Sequence, residues 1–230
     1  MHRRPTGPLA KVMSSVSPGF ARIEAQRHPH ADFWDDWNRN AILADGPLWI
    51  ALGDSSTQGI GSEDPMLGWV PQVLDQLRSD TGDEWRVINL AITGAQFGDI
   101  VTHELPRVDE LRSAGHHPAL MTLLAGANNL MAPNTWPTAV GSLQTVLDHL
   151  AERSVVARVG IDSPANSVMA RTFNRAIESV AANKSFELFW PWSWPSRDGM
   201  GEDKFHPGPK GYGYMTELIY PAVRRALDLT

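Results

Sequence analysis

The chain has 230 residues, of which 42% are apolar and 20% charged, with a formal net charge of −6. That size and balance suit one folded domain with a single well-filled core. No basic run is longer than Arg3-Arg4 or Arg224-Arg225, which argues against nucleic acid as the main partner, because phosphate binding needs concentrated positive surface. There is no cysteine, which excludes disulfides, a thiolate nucleophile and a zinc–thiolate site. The basic start Met1-His2-Arg3-Arg4 has no apolar stretch behind it, since Pro5, Pro8, Lys11, Ser14, Ser15 and Ser17 interrupt it. Nor does any run approach the ~18 apolar residues of a membrane span. The expectation is a cytoplasmic protein, with oligomeric state left open.

Residues 1–20 are rich in Pro and Ser and are expected to be loosely held. Residues 21–45 carry Ile23, Phe33, Trp34, Trp37, Ile42 and Leu43 at roughly helical spacing, which predicts a helical arm. We read 1–45 as an N-terminal extension and 46–230 as the main domain. The chain then alternates. Short apolar runs at 48–52, 86–90, 120–124, 155–159 and 186–190 predict strands. Between and after them, 66–79, 98–113, 137–152, 165–182 and 209–227 predict helices, the last opening on Gly208 and Pro209, which suit a helix start. This order predicts an α/β fold, a parallel sheet covered on both faces, with functional groups at the carboxyl ends of its strands.

Four polar segments fall at those ends. The first strand runs into Gly53-Asp54-Ser55-Ser56-Thr57-Gln58-Gly59, and the second into Asn89-Leu90-Ala91-Ile92-Thr93-Gly94-Ala95. The third runs into Gly126-Ala127-Asn128-Asn129, and Asp203-Lys204-Phe205-His206 stands near the chain end. A serine hydroxyl needs a base to take its proton, and the base needs its other ring nitrogen held by a carboxylate. Ser55, His206 and Asp203 supply those three groups. Candidate donors to an oxyanion are the Ser55 N–H, the Gly94 N–H and the Asn128 amide.

In these segments the chain resembles the GDSL/SGNH hydrolase family. Gly53-Asp54-Ser55 with Gly59 resembles its first block, Asn89 to Gly94 the second, Gly126-Ala127-Asn128 the third, and Asp203 to His206 the fifth. Pro207, Gly211 and Tyr212 also follow family habit. The resemblance implies a three-layer α/β/α sandwich with a five-stranded parallel sheet. It also implies hydrolysis of esters or thioesters without a metal or other cofactor, on a small-molecule ester substrate. The catalytic residues would be Ser55, Asp203 and His206, and the oxyanion hole Ser55, Gly94 and Asn128. The segment Trp37 to Asn40 resembles actinobacterial members. The sequence departs from the family pattern in three places: Ser56 stands where Leu is common, Asn129 where Asp usually follows the block's Asn, and Gly208 where Asn is common. The Ser55-Ser56 doublet leaves two hydroxyls to choose between.

Other signals point elsewhere with less force. His28 and His30 have no partners at metal-ligand spacing. Gly59-Ile60-Gly61 lacks the third glycine of a dinucleotide loop, since Asp64 stands there. The Gly-x-Ser-x-Gly elbow is missing around Ser55. Trp190, Trp192 and Trp194 read either as packing or as an aromatic wall for an acyl chain or sugar ring, with Met131, Pro133 and Trp136 opposite. The reading is a serine esterase for short to medium acyl chains. Carbohydrate O-deacetylation or thioester cleavage on the same site is the alternative, and a catalytically weak binding module is the alternative of another class.

Overall fold

The protein is described here by a computed structural model covering residues 3–5, 14–160, 167–191 and 197–229. Strands Leu48–Gly53 (β1), Arg86–Asn89 (β2), Leu120–Leu124 (β3), Ser154–Ala157 (β4) and Glu187–Phe189 (β5) form one sheet in the order β2-β1-β3-β4-β5. Every pairing is parallel. Each predicted strand is present, with β4 and β5 shorter at their carboxyl ends than their apolar runs suggested.

The period-two alternation of a strand sorts its side chains between two cores. Leu48, Ile50 and Leu52 enter one cluster with Ile88, Met121, Leu123 and Val156. Trp49, Ala51, Val87, Leu120, Leu124, Val155 and Ala157 enter the other. Both faces of the sheet are therefore buried, which is why its strands read as unbroken apolar runs. The one polar interruption, Thr122, is neutralised because its Oγ1 accepts the Trp49 indole N–H at 3.0 Å.

The arm consists of two helices, Pro18–Ala25 (α1) and Arg27–Leu43 (α2), rather than one. Pro29 explains the break: in a continuous helix its missing N–H would strand the Ala25 carbonyl, whereas in the first turn of α2 none is needed. The short helix Ser55–Gln58 (α3) follows β1, and Trp69–Thr81 (α4) covers the second core. The predicted helix over 98–113 is divided as well. Phe97–Asp99 (α5) runs into a π-helical turn, Ile100–Glu104, before Leu105–Ser113 (α6). Pro106 has no N–H to offer Thr102 and crowds its carbonyl. The helix widens there, and the Leu105 N–H reaches back to the Ile100 carbonyl. The remaining α-helices among the described residues are Ala127–Leu130 (α7), Trp136–His149 (α8), Ser167–Lys184 (α9) and Pro209–Ala226 (α10). Among the described residues no helix is long and apolar enough to cross a membrane.

Helix α10 does more than cover the sheet. Its Tyr212 is fully buried, and the phenol donates to the Ile60 carbonyl at 2.5 Å, so the last helix holds the loop that follows α3. Tyr212→Phe leaves that carbonyl buried and unpaired, a loss of about 1–3 kcal/mol. The expected result is a melting temperature lower by several degrees, measured by differential scanning calorimetry. An unchanged midpoint would mean that the Ile60 loop is held without this bond.

Candidate active site

The exit from β1 is a tight construction. A side chain on Gly53 would meet the Leu124 carbonyl at 2.2 Å and Thr57 Oγ1 at 2.6 Å, so the turn closes only over glycine. Asp54 follows in extended conformation as the N-cap of α3, its Oδ1 accepting the Ser56 N–H at 3.1 Å. Ser55 opens the helix, so its own N–H has no intrahelical acceptor. Two side chains tie this turn to the loop after β2. Asn89 donates to the Thr57 carbonyl at 2.8 Å, and Gln58 donates to the Ala91 carbonyl at 2.8 Å while accepting the Thr93 N–H at 3.1 Å.

Asp203 to His206 forms a second turn, passing through Lys204 at φ 59°, a left-handed conformation rare for a side chain of that size. That bend brings Asp203 Oδ1 within reach of the Phe205 N–H (3.0 Å) and the His206 N–H (2.9 Å). Asp203 Oδ2 lies 2.6 Å from His206 Nδ1, and His206 Nε2 lies 3.0 Å from Ser55 Oγ. Of the serine doublet it is thus Ser55 that faces the imidazole. Ser56 engages the turn through its N–H.

Gly94 sits at φ +80°, and a side chain there would find almost open space, so backbone conformation rather than crowding calls for glycine. Asn128, in the first turn of α7, donates from Nδ2 to the Ala95 carbonyl at 3.0 Å and toward Asp54 Oδ2 at 3.4 Å. It therefore stands between the Gly94 loop and the Ser55 turn. Asn129 is buried, and its Oδ1 accepts the Phe97 N–H at 3.0 Å, the bond an Asp would make in its place. Trp136 is half-buried. Its indole donates to the Asn129 carbonyl at 2.7 Å and anchors the turn.

The carboxyls of the site are driven apart. Burial acts to raise Asp203, but the His206 hydrogen bond and charge and the two backbone N–H donors outweigh it, and the carboxyl is held below its usual value. Burial pushes Asp54 up to about 6, against the Ser56 N–H and the His206 charge. Glu104 was not singled out from the sequence. It lies on the π turn, fully buried, and accepts the Gly53 N–H at 3.0 Å. Burial, reinforced by the Asp54 and Asp99 charges, drives its pKa well above the ordinary value.

Three large apolar side chains near these segments are exposed: Met131, Trp190 and Phe205. Phe205 packs edge-on to the His206 ring at 4.8 Å, and the Arg158 guanidinium lies 5.6 Å from the Trp190 ring. Trp192 and Trp194 lie outside the described residues. Among the described residues no three His, Asp or Glu side chains gather as metal ligands, and His30 is buried in α2, its imidazole pKa lowered by that burial.

Comparison with the curated proteins found none that matches. Among solved structures the fold is similar to that of TesA, at 24% identity over 78% of this chain and 99% of that one, with a TM-score of 0.61. It is also similar to the psychrotrophic esterase EstA from Pseudoalteromonas sp., inhibited by monoethylphosphonate, at 18% identity over 79% and 98% of the two chains and a TM-score of 0.58. A variant of Axe2, an acetyl xylan esterase from Geobacillus stearothermophilus, is similar at 16% identity over 81% and 96%, with a TM-score of 0.58. These likenesses speak for the fold. The model of the GDSL-like lipase/acylhydrolase family matches residues 51–214, a span that holds all four polar segments, and the chain belongs to that family of ester-cleaving enzymes.

Proposed function

We propose that this protein is a serine hydrolase that cleaves carboxylic esters of short to medium acyl chains through an acyl-enzyme. The observation that carries the reading is the file Ser55 Oγ, His206 Nε2, His206 Nδ1, Asp203 Oδ2, with contacts of 3.0 and 2.6 Å. Ser55 Oγ attacks the ester carbonyl as His206 Nε2 takes its proton. Asp203 holds the Nδ1–H and stabilises the imidazolium. The carbonyl oxygen becomes an oxyanion, received by the Ser55 N–H, the Gly94 N–H and the Asn128 amide. Collapse of the adduct expels the alcohol, which takes the proton back from His206. Water, deprotonated by the same imidazole, then releases the acid and frees Ser55.

The exposure of Met131, Trp190 and Phe205 supports short acyl groups, because apolar side chains left open to water can desolvate only a few methylenes of a chain. The acetyl group is the smallest case, and the likeness to an acetyl xylan esterase puts acetylated sugars among the substrates to test. Thioesters present the same carbonyl to the same groups. With p-nitrophenyl acetate, Ser55→Ala should lose at least ~10³-fold in kcat. Asn128→Ala should lose ~10²–10³-fold with little change in KM, since an oxyanion donor acts as charge develops. Full turnover in Ser55→Ala would reject the nucleophile, and a folded wild-type protein without hydrolysis would leave a binding module. A panel from acetyl to palmitoyl esters, with acetylated xylo-oligosaccharides and acyl-CoA, should favour chains of about eight carbons or fewer. An optimum at palmitoyl would overturn that preference.

Asp203 supplies a test that does not need the substrate. A depressed carboxyl stabilises the fold above its unfolded pKa of ~3.9, and that contribution is lost as pH falls through the lower folded value. Asp203→Asn should therefore melt below wild type between pH 6 and 8, as read by circular dichroism. The two melting curves should converge as pH drops below ~4. A constant gap across that range would mean that Asp203 contributes no charge. In the same variant kcat/KM should fall at least ~10-fold, because the imidazole loses the group that orients it.

A further inference from the structure

Two buried carboxyls, Asp54 and Glu104, stand behind the nucleophile turn, and neither takes part in the acyl transfer at Ser55. Glu104 reaches Gly53 from the π turn, 3.0 Å from its N–H, where Pro106 has forced the helix to widen. Asp54, the next residue after Gly53, has one oxygen on the Ser56 N–H and the other 3.4 Å from Asn128 Nδ2. The second acceptor of that amide is the Ala95 carbonyl, at 3.0 Å. An amide can be turned end for end at almost no steric cost, and only its hydrogen-bond partners decide which end faces a site. Here both partners on the Nδ2 side are acceptors. Of the two Nδ2 hydrogens one is held by the Ala95 carbonyl, and the other, on the long contact to Asp54, is the one that can pass to an oxyanion. A flipped Asn128 would set its oxygen against a carbonyl and a carboxylate and carry both hydrogens away from that side.

We propose that Asp54 and Glu104 are paired positioning residues of the oxyanion hole: Glu104 fixes the strand exit through Gly53, and Asp54 sets which end of the Asn128 amide faces the substrate. The proposal rests on the serine-ester reading above. Asp54 must be ionised for this, because a protonated carboxyl offers an O–H that rewards the flipped amide. The charged and titratable groups around it are His206, Glu104 and Tyr212. His206 favours the carboxylate. Burial and the Asp54 charge both push Glu104 toward its neutral form, which favours a single negative charge there. Asp54 raises Tyr212, whose burial already disfavours phenolate, so the phenol remains uncharged.

Asn is as good an N-cap as Asp, so Asp54→Asn keeps the Ser56 bond and removes only the charge and the acceptor facing Asn128. Its kcat for p-nitrophenyl acetate should fall ~10- to 100-fold, part of the loss expected on removing a whole donor, with KM within about 2-fold. A buried carboxyl with a raised pKa costs stability as pH rises through that value, about 6 here. The variant should therefore melt no lower than wild type at neutral pH, which separates positioning from a structural role. Glu104→Gln mimics the neutral acid and should keep kcat within about 3-fold, whereas Glu104→Leu strands the Gly53 N–H and should lose both kcat and melting temperature. Two results overturn the proposal: wild-type kcat in Asp54→Asn, or Glu104→Gln as impaired as Glu104→Leu. Turnover that survives Ser55→Ala would strike the serine reading instead. Carboxyl ¹³C NMR then judges the pair without turnover. A Glu104 signal ionising near the ordinary ~4.3 overturns it, and one still protonated at neutral pH, lost in Glu104→Gln, supports it.

Discussion

The contact between Ser55 Oγ and His206 Nε2 joins two turns 151 residues apart to 3.0 Å, and much of the surrounding structure serves to hold those turns together. The sheet supplies the coarse placement, because parallel strands bring their carboxyl ends to one edge. Placement within a few tenths of an ångström comes from the loops. A side chain on Gly61 would meet the Pro207 carbonyl at 2.2 Å and His206 Cβ at 2.8 Å, so the loop after α3 lies directly on the histidine turn. Tyr212 pins Ile60 from the far side, and Gly201 donates to the His206 carbonyl at 2.7 Å. From the arm, Trp34 donates to the Gln58 carbonyl at 3.0 Å, and Gln26 accepts the Gly61 N–H at 2.8 Å. A nucleophile turn held from three directions has little freedom to lose when substrate binds, which is where positioning contributes to rate.

Asp203 and Asp54 show how one imidazole can have two acidic neighbours with opposite fates. Both carboxyls are disfavoured as anions by burial. Asp203 has two backbone N–H donors and the imidazole at 2.6 Å, enough to reverse that penalty. Asp54 has one backbone donor and a long contact to an amide, which is not enough. Separation of this kind holds one carboxyl toward its charged form and shifts the other toward its neutral form, around the same imidazole.

The sheet, its order of elements and the segments that meet at Ser55 were legible because each is a local signal: an apolar run of strand length, ended by polar residues or glycine. Asp203 and His206 could be read as a pair because their spacing puts both on one turn. Other features depend on contacts that no local pattern announces. The π turn follows from a proline whose effect is felt four residues upstream, in a stretch otherwise periodic as a helix. Glu104 reads as one more charged residue of an amphipathic helix until the widened turn directs it to Gly53. Pro29 was visible, yet the arm's hydrophobic spacing continues across the break at Gln26, so periodicity alone joined two helices into one. That the Trp136 indole N–H pairs the Asn129 carbonyl was equally hidden, since the need of a turn carbonyl for a donor leaves no mark in the sequence.

The arm also bears on the donor at Gly94, through the geometry of a single peptide group. The Thr93 carbonyl and the Gly94 N–H belong to one trans peptide plane and point in opposite directions. Whatever holds the carbonyl therefore aims the N–H. Arg27, in the first turn of α2, reaches the Thr93 carbonyl at 3.5 Å while its other nitrogen pairs with Glu24 at 2.6 Å. The next carbonyl, that of Gly94, accepts from Arg4, which also lies 3.0 Å from Asp99, and Arg27 in turn holds the Arg4 carbonyl at 2.7 Å. Two cations thus grip successive carbonyls of a glycine loop, at φ +80°, that the Ala95 N–H also closes on the Ile92 carbonyl at 2.8 Å. One contact at 3.5 Å is weak, but the Thr93 N–H is also fixed on Gln58, and together these bonds restrain both peptide groups that flank Thr93. The helical arm thereby orients the loop that carries Gly94 while contributing no reacting group, which gives a physical reason for it to stay docked on the sheet.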